Sequence, residues 1–98
     1  MKAIDKQPPR HLSAEAKRLW RELFDEFVLD DAAGTALLRV AVEAFDRAQE
    51  ARVMIKRDGP VLLDRFDQKK AHPACAIERD ARGQFMSAIR ALKLEPEE

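Results

Sequence analysis

Apolar residues recur along the chain in three helical stretches separated by polar punctuation. The first follows Pro8-Pro9. Leu12-Ser13-Ala14-Glu15 reads as a helix start, with Ser13 as N-cap and Glu15 in the first turn, where the dipole favours an acid. Leu12, just before the cap, can fold back as a staple. Ala16, Leu19, Trp20, Leu23, Phe24 and Phe27 follow with a 3.6-residue period and predict a helix over about 14–28. Trp20 and Phe24 share one face of it. Leu29-Asp30-Asp31 ends this helix, and Asp30 or Asp31 caps the next.

From Ala32 to Arg57 there is no proline and only Gly34, near the start. Leu37, Ala41, Ala44, Ala48, Ala51 and Ile55 advance by 4, 3, 4, 3, 4, which is heptad spacing. Leu38, Val42 and Phe45 flank that stripe. Alanines let two helix backbones approach closely, so this face wants another helix. A helix of this length spans roughly 39 Å, against an expected radius of gyration of about 13 Å for a compact chain of this size. The first helix can cover only part of it, so part of the packing is expected between subunits. Asp58-Gly59-Pro60 is a strong stop. Val61-Leu62-Leu63 reads as a short extended run, and residues 64–70 are polar around one aromatic; a loop and a short hairpin both fit. Pro73, preceded by His72, suits the first position of a last helix. Ala74, Ile77, Ala81, Phe85, Ala88, Ile89 and Leu92 share a face of that helix, which ends near Leu94 with Gly83 inside it. The expected fold is all-α and oligomeric: a helical hairpin-like pair with a long second helix, a short loop or hairpin, and a C-terminal helix. Residues 1–11 are expected to form a flexible basic arm, 12–94 the helical core and oligomerisation domain, and 95–98 an acidic tail.

With 98 residues the chain makes one domain. No apolar run approaches the roughly 18 residues of a membrane span, and the first ten residues hold no secretory apolar region. The single cysteine, Cys75, cannot form an internal disulfide, so a reducing cytoplasm is the expected compartment. Formal net charge is zero, yet the charge is uneven: residues 1–10 carry +2, 61–71 carry +1, 73–94 carry +2 and the last four carry −3. Any contact with nucleic acid must therefore come from local patches, or from patches summed over several copies.

No catalytic set stands out, and neither an enzymatic activity nor a cofactor or metal is expected. Asp31-Ala32-Ala33-Gly34-Thr35 lacks the lysine and spacing of a phosphate loop. Cys75 near His72 could hold a stabilised thiolate, but reads first as a small buried cysteine beside a helix-opening histidine. Asp64 and Asp67 could hold a metal, but fit surface charge better. Trp20 reads as core. The basic groups are more suggestive. Lys2, Lys6 and Arg10 lie on the proline-containing arm, which could track a phosphate backbone. Arg65, Lys69 and Lys70 follow the long helix, with Phe66 among them. Lys17, Arg18 and Arg21 fall on the polar side of the first helix. For each group a solvated face and a DNA contact remain equally open.

The order Pro8-Pro9-Arg10-His11-Leu12-Ser13, Ala16-Lys17-Arg18-Leu19-Trp20, a long helix ending at Gly59, His72-Pro73, and Leu92-Lys93-Leu94-Glu95-Pro96 resembles the bacteriophage terminase small-subunit family over about residues 8–96. The telling pieces are Pro-x-x-Leu-Ser with a tryptophan seven residues after the serine, and His72-Pro73 where relatives often carry Asn-Pro. The closing stretch often reads Leu-Gly-Leu-x-Pro; here Lys93 replaces the glycine. The resemblance implies a non-enzymatic subunit that assembles into a homo-oligomeric ring, binds double-stranded viral DNA and presents it to the large terminase subunit, which carries the ATPase and nuclease. The short chain would suit a phage-derived packaging system such as a gene transfer agent. On this reading Lys2, Lys6, Arg10, Arg65, Lys69 and Lys70 contact DNA, and Leu37, Ala41, Ala44, Ala48, Ala51 and Ile55 pack helices, some of them between subunits. Two other classes fit the same helices: a small dimeric DNA-binding transcription regulator, and a helical module that binds only protein.

Overall fold

The structure, a computed structural model, describes residues 7–27 and 31–94. They form helices α1 (Ala14–Phe27), α2 (Ala32–Asp58) and α3 (Pro73–Leu94), with strands β1 (Val61–Leu63) and β2 (Lys69–Ala71) between the last two. The architecture is mostly helical, as expected, but the 61–71 segment folds as an antiparallel hairpin rather than a loop.

Each helix begins where its cap predicts. The Ser13 hydroxyl accepts the Ala16 N–H at 3.1 Å and itself donates to the Asp46 carboxylate of α2. The Ser13 N–H donates to the same carboxylate at 2.8 Å, so the start of α1 is tied to α2. Asp31 caps α2, accepting the Gly34 N–H at 2.7 Å, while Asp30, the other candidate, lies outside the described residues. α2 stops at Gly59, whose φ of +84° a side chain would resist, and whose N–H donates to the Ile55 carbonyl at 2.7 Å.

The core has two parts. α1 lays Ala16, Trp20 and Phe24 on Leu38 and Val42 of α2, with Leu12 closing the end and Leu19, Leu23 and Phe45 around it. The Trp20 and Phe24 ring centroids are 6.1 Å apart. Trp20 is thus a core residue. The second part is the α2–α3 seam, the principal helix pair. Asp58 meets His72, Arg47 meets Gln84 and Phe45 meets Phe85, so the two helices run antiparallel. Ala41, Ala44, Ala48 and Ala51 are buried on α2, and Ala74, Ala81, Ala88 and Leu92 on α3. The seven-residue steps on both helices are those of a coiled-coil seam. α3 runs alongside α2 on the face that α1 leaves bare, so these four α2 alanines are buried within a single chain. Leu37 and Ile55, at the ends of the stripe, are half-buried. The result is a rod of 60 × 26 × 19 Å with a radius of gyration of 16.8 Å, well above the roughly 13 Å of a compact domain. Gly83 remains helical; an exposed helix glycine costs about 1 kcal/mol relative to alanine.

Candidate nucleic-acid interface

The hairpin projects from one end of the α2–α3 pair and is built by its own turn. Val61 pairs with Ala71, Leu62 with Lys70 and Leu63 with Lys69. The Asp64 carboxylate accepts the N–H groups of Phe66 at 2.8 Å and Gln68 at 3.0 Å, and Asp67 adopts the left-handed conformation at φ 59°. Aspartate tolerates that region because its short side chain bonds locally. Asp64 is therefore a turn-former whose oxygen is already engaged. Among the described residues no group of three or more His, Cys, Asp or Glu could hold a metal.

The hairpin root is fixed as firmly. His72 is buried, and its Nδ1 accepts the Ala74 N–H at 3.0 Å. A backbone N–H only donates, so Nε2 carries the hydrogen and gives it to Asp58 at 2.9 Å. The His72 N–H donates to the Pro60 carbonyl at 2.8 Å. Asp58 also receives the Arg57 guanidinium at 2.8 and 2.9 Å. The hydrogen bonds from Arg57 and then His72 hold the Asp58 carboxyl well below the usual carboxylate range, and Asp58 in turn raises Arg57 further. Cys75 is half-buried rather than buried, with its thiol 3.9 Å from the Pro60 carbonyl. It is a neighbour of this root, and His72 is committed to capping.

On this support the cations stand in solvent. Arg65, Lys69 and Lys70 are all exposed, and the Arg65 guanidinium lies 5.0 Å over the Phe66 ring, itself 68% exposed. Strand alternation sends Lys69 to the face of Val61 and Leu63 and Lys70 to the opposite face with Leu62. The three cations therefore surround the hairpin rather than form one flat patch. With Arg52, Lys56 and Arg57 against Asp58, Asp64 and Asp67, the stretch 51–72 nets +3. The described residues of α1 and of α2 through Glu50, with their caps, net −3. The charge is thus divided between an acidic α1–α2 part and a basic remainder, the hairpin stretch at +3 and α3 at +2.

A family model for the phage terminase small subunit matches residues 13–98. The chain belongs to the phage terminase small-subunit family. That family acts in phage DNA packaging, generally as a non-catalytic DNA-binding regulatory subunit, with DNA and the large terminase as its partners. No curated protein and no solved structure matches the chain. In this small terminase the His72-Pro73 pair has a clear purpose: a ring nitrogen caps α3 as an asparagine side chain would.

Other sequence candidates are dispersed. Lys2 and Lys6 lie outside the described residues. Arg10 is exposed, one turn before α1, where the Leu12 N–H reaches the Pro9 carbonyl at 3.4 Å and His11 bonds Glu43 at 2.8 Å. Arg18 and Arg21 are exposed on α1 and Lys17 is half-buried. α2, the helix a helix-turn-helix would offer to a groove, is buried toward both α1 and α3 along its length. Arg52 and Lys56, exposed on the last two turns of α2, are further cations near the hairpin; their signal is position, at the helix end from which the hairpin leaves. No helix among the described residues is long and apolar enough to cross a membrane.

Proposed function

We propose that this small terminase grips double-stranded DNA with its hairpin end and delivers it to the large terminase for packaging, acting as a homo-oligomer, in ring form. The observation that carries this reading is the hairpin itself: a two-stranded ribbon with exposed cations on both faces and at its turn. The major groove, about 12 Å wide, admits a two-stranded ribbon. Lys69 and Lys70, leaving opposite faces, then reach the phosphates of opposite walls. Arg65 adds a third contact at the turn, and Phe66 and Leu63 offer apolar surface to base edges. Arg10, Lys2 and Lys6 add contacts from the N-terminal arm. A protomer of zero net charge binds weakly alone; repetition around a ring multiplies a local +3.

Assembly with the large subunit tests the whole reading. Immobilised duplex DNA should retain the large terminase only when the small subunit is added, and less so with the Arg65→Ala/Lys69→Ala/Lys70→Ala variant. Equal retention with and without the small subunit would overturn the delivery role.

A further inference from the structure

The outer side of α3 has no part in the hairpin grip. Arg79, Arg82, Met86, Arg90 and Lys93 advance by 3, 4, 4, 3 and so share one stripe of the helix. At 100° per residue this stripe points away from Ala74, Ala81 and Ala88, which face α2. All five residues are exposed, and the stripe holds no acid. Glu78 and Asp80 flank it, Glu78 3.9 Å from Arg82 and Asp80 3.4 Å from Arg79. Among the described residues Arg90 and Lys93 make no ion pair with the chain. From Arg79 to Lys93 the stripe runs roughly 21 Å.

An independent observation concerns the same surface. Gly83 borders the stripe between Arg79 and Arg90, and a Cβ there would meet nothing within 4 Å. Its backbone is ordinary helix, so neither packing nor conformation calls for glycine. Glycine on an exposed helix instead leaves bare backbone that another molecule can approach closely. Arg79 and Arg82 are paired with the flanking Asp80 and Glu78, but Arg90 and Lys93 are unpaired among the described residues, and this excess of cations beside such a patch matches a polyanion.

We propose that the outer face of α3 is a second DNA-binding surface, contacting the phosphate backbone of the duplex without reading its sequence. Arg79 with Arg82 forms one contact, Arg90 with Lys93 the other, and Gly83 lets the sugar-phosphate chain come close. This rests on the reading that the subunit binds double-stranded DNA, and extends its contact from the hairpin along the rod.

The test uses the full chain, duplex DNA of random sequence, and affinities from about 50 to about 200 mM salt. Arg90→Ala/Lys93→Ala should bind more weakly and lower the magnitude of the log–log salt slope by about 1.8, two phosphate contacts' worth. Gly83→Leu should raise the melting temperature yet also weaken binding, a combination no purely structural glycine gives. Wild-type binding with an unchanged slope in Arg90→Ala/Lys93→Ala would overturn the α3 site while leaving the hairpin reading intact. A changed native mass in either variant, with unchanged DNA affinity, would assign the face to a second copy of the chain and overturn the proposal equally. No wild-type binding at the lowest salt would remove both readings together.

Discussion

The His72 Nε2 lies 2.9 Å from the Asp58 carboxylate, joining the last residue of α2 to the residue that caps α3. Both helices and the root of the hairpin meet in this one contact. Its geometry uses both ring nitrogens, one as acceptor for the helix and one as donor to Asp58.

Replacing His72 therefore removes a cap and a cross-helix tie together. His72→Ala should lower stability by about 1–2 kcal/mol, since lost caps alone cost about 1 kcal/mol. His72→Asn, which can still accept the Ala74 N–H, should lose less. Urea unfolding of the two variants separates them; equal losses would mean the cap contributes nothing.

Acid should loosen the same junction. The Asp58 carboxyl is depressed by Arg57 first and His72 second. A depressed carboxylate stabilises the fold above its unfolded value, near 4, and that contribution fades as pH falls further. Asp58 is solvent-exposed, so the effect is modest. Melting temperature measured from neutral pH down to strong acid should fall less steeply in Asp58→Asn than in wild type. Parallel curves would place the acid sensitivity elsewhere.

Much of this frame is readable from punctuation. Ser13, Asp31, Gly59-Pro60 and His72-Pro73 mark the helix ends because caps and stops act locally, on the nearest few backbone groups. The hairpin is not readable in the same way. Asp64-Arg65-Phe66-Asp67-Gln68 lacks the Asn-Gly or Asp-Gly of a tight hairpin. Its turn depends on Asp64 accepting two N–H groups and on Asp67 taking φ 59°, neither of which composition announces. The alanine stripe announces a partner helix but not whose. Alanine carries no charge or shape that would distinguish α3 from a helix of another chain. Lys69 and Lys70 are legible as neighbours, whereas their opposite faces follow only from the strand register.

The alanine seam itself can be challenged. Ala44 is fully buried, so Ala44→Glu places a carboxylate between α2 and α3. The variant should lose most of its cooperative helical signal by circular dichroism. A well-folded variant of smaller native mass would instead locate Ala44 between chains.

Native mass spectrometry addresses assembly. The proposed ring predicts a mass of many protomers. A stable monomer or dimer would contradict the ring and remove the multiplication of weak contacts on which DNA binding by a neutral chain relies.

The hairpin grip is the central claim, and the salt dependence of duplex DNA affinity tests it most directly. Wild type should lose affinity linearly in log–log form, and Lys69→Ala/Lys70→Ala should lower the slope's magnitude by about 1.8 per protomer in contact, weakening all duplex sequences alike. A variant with wild-type affinity and an unchanged slope would contradict the account.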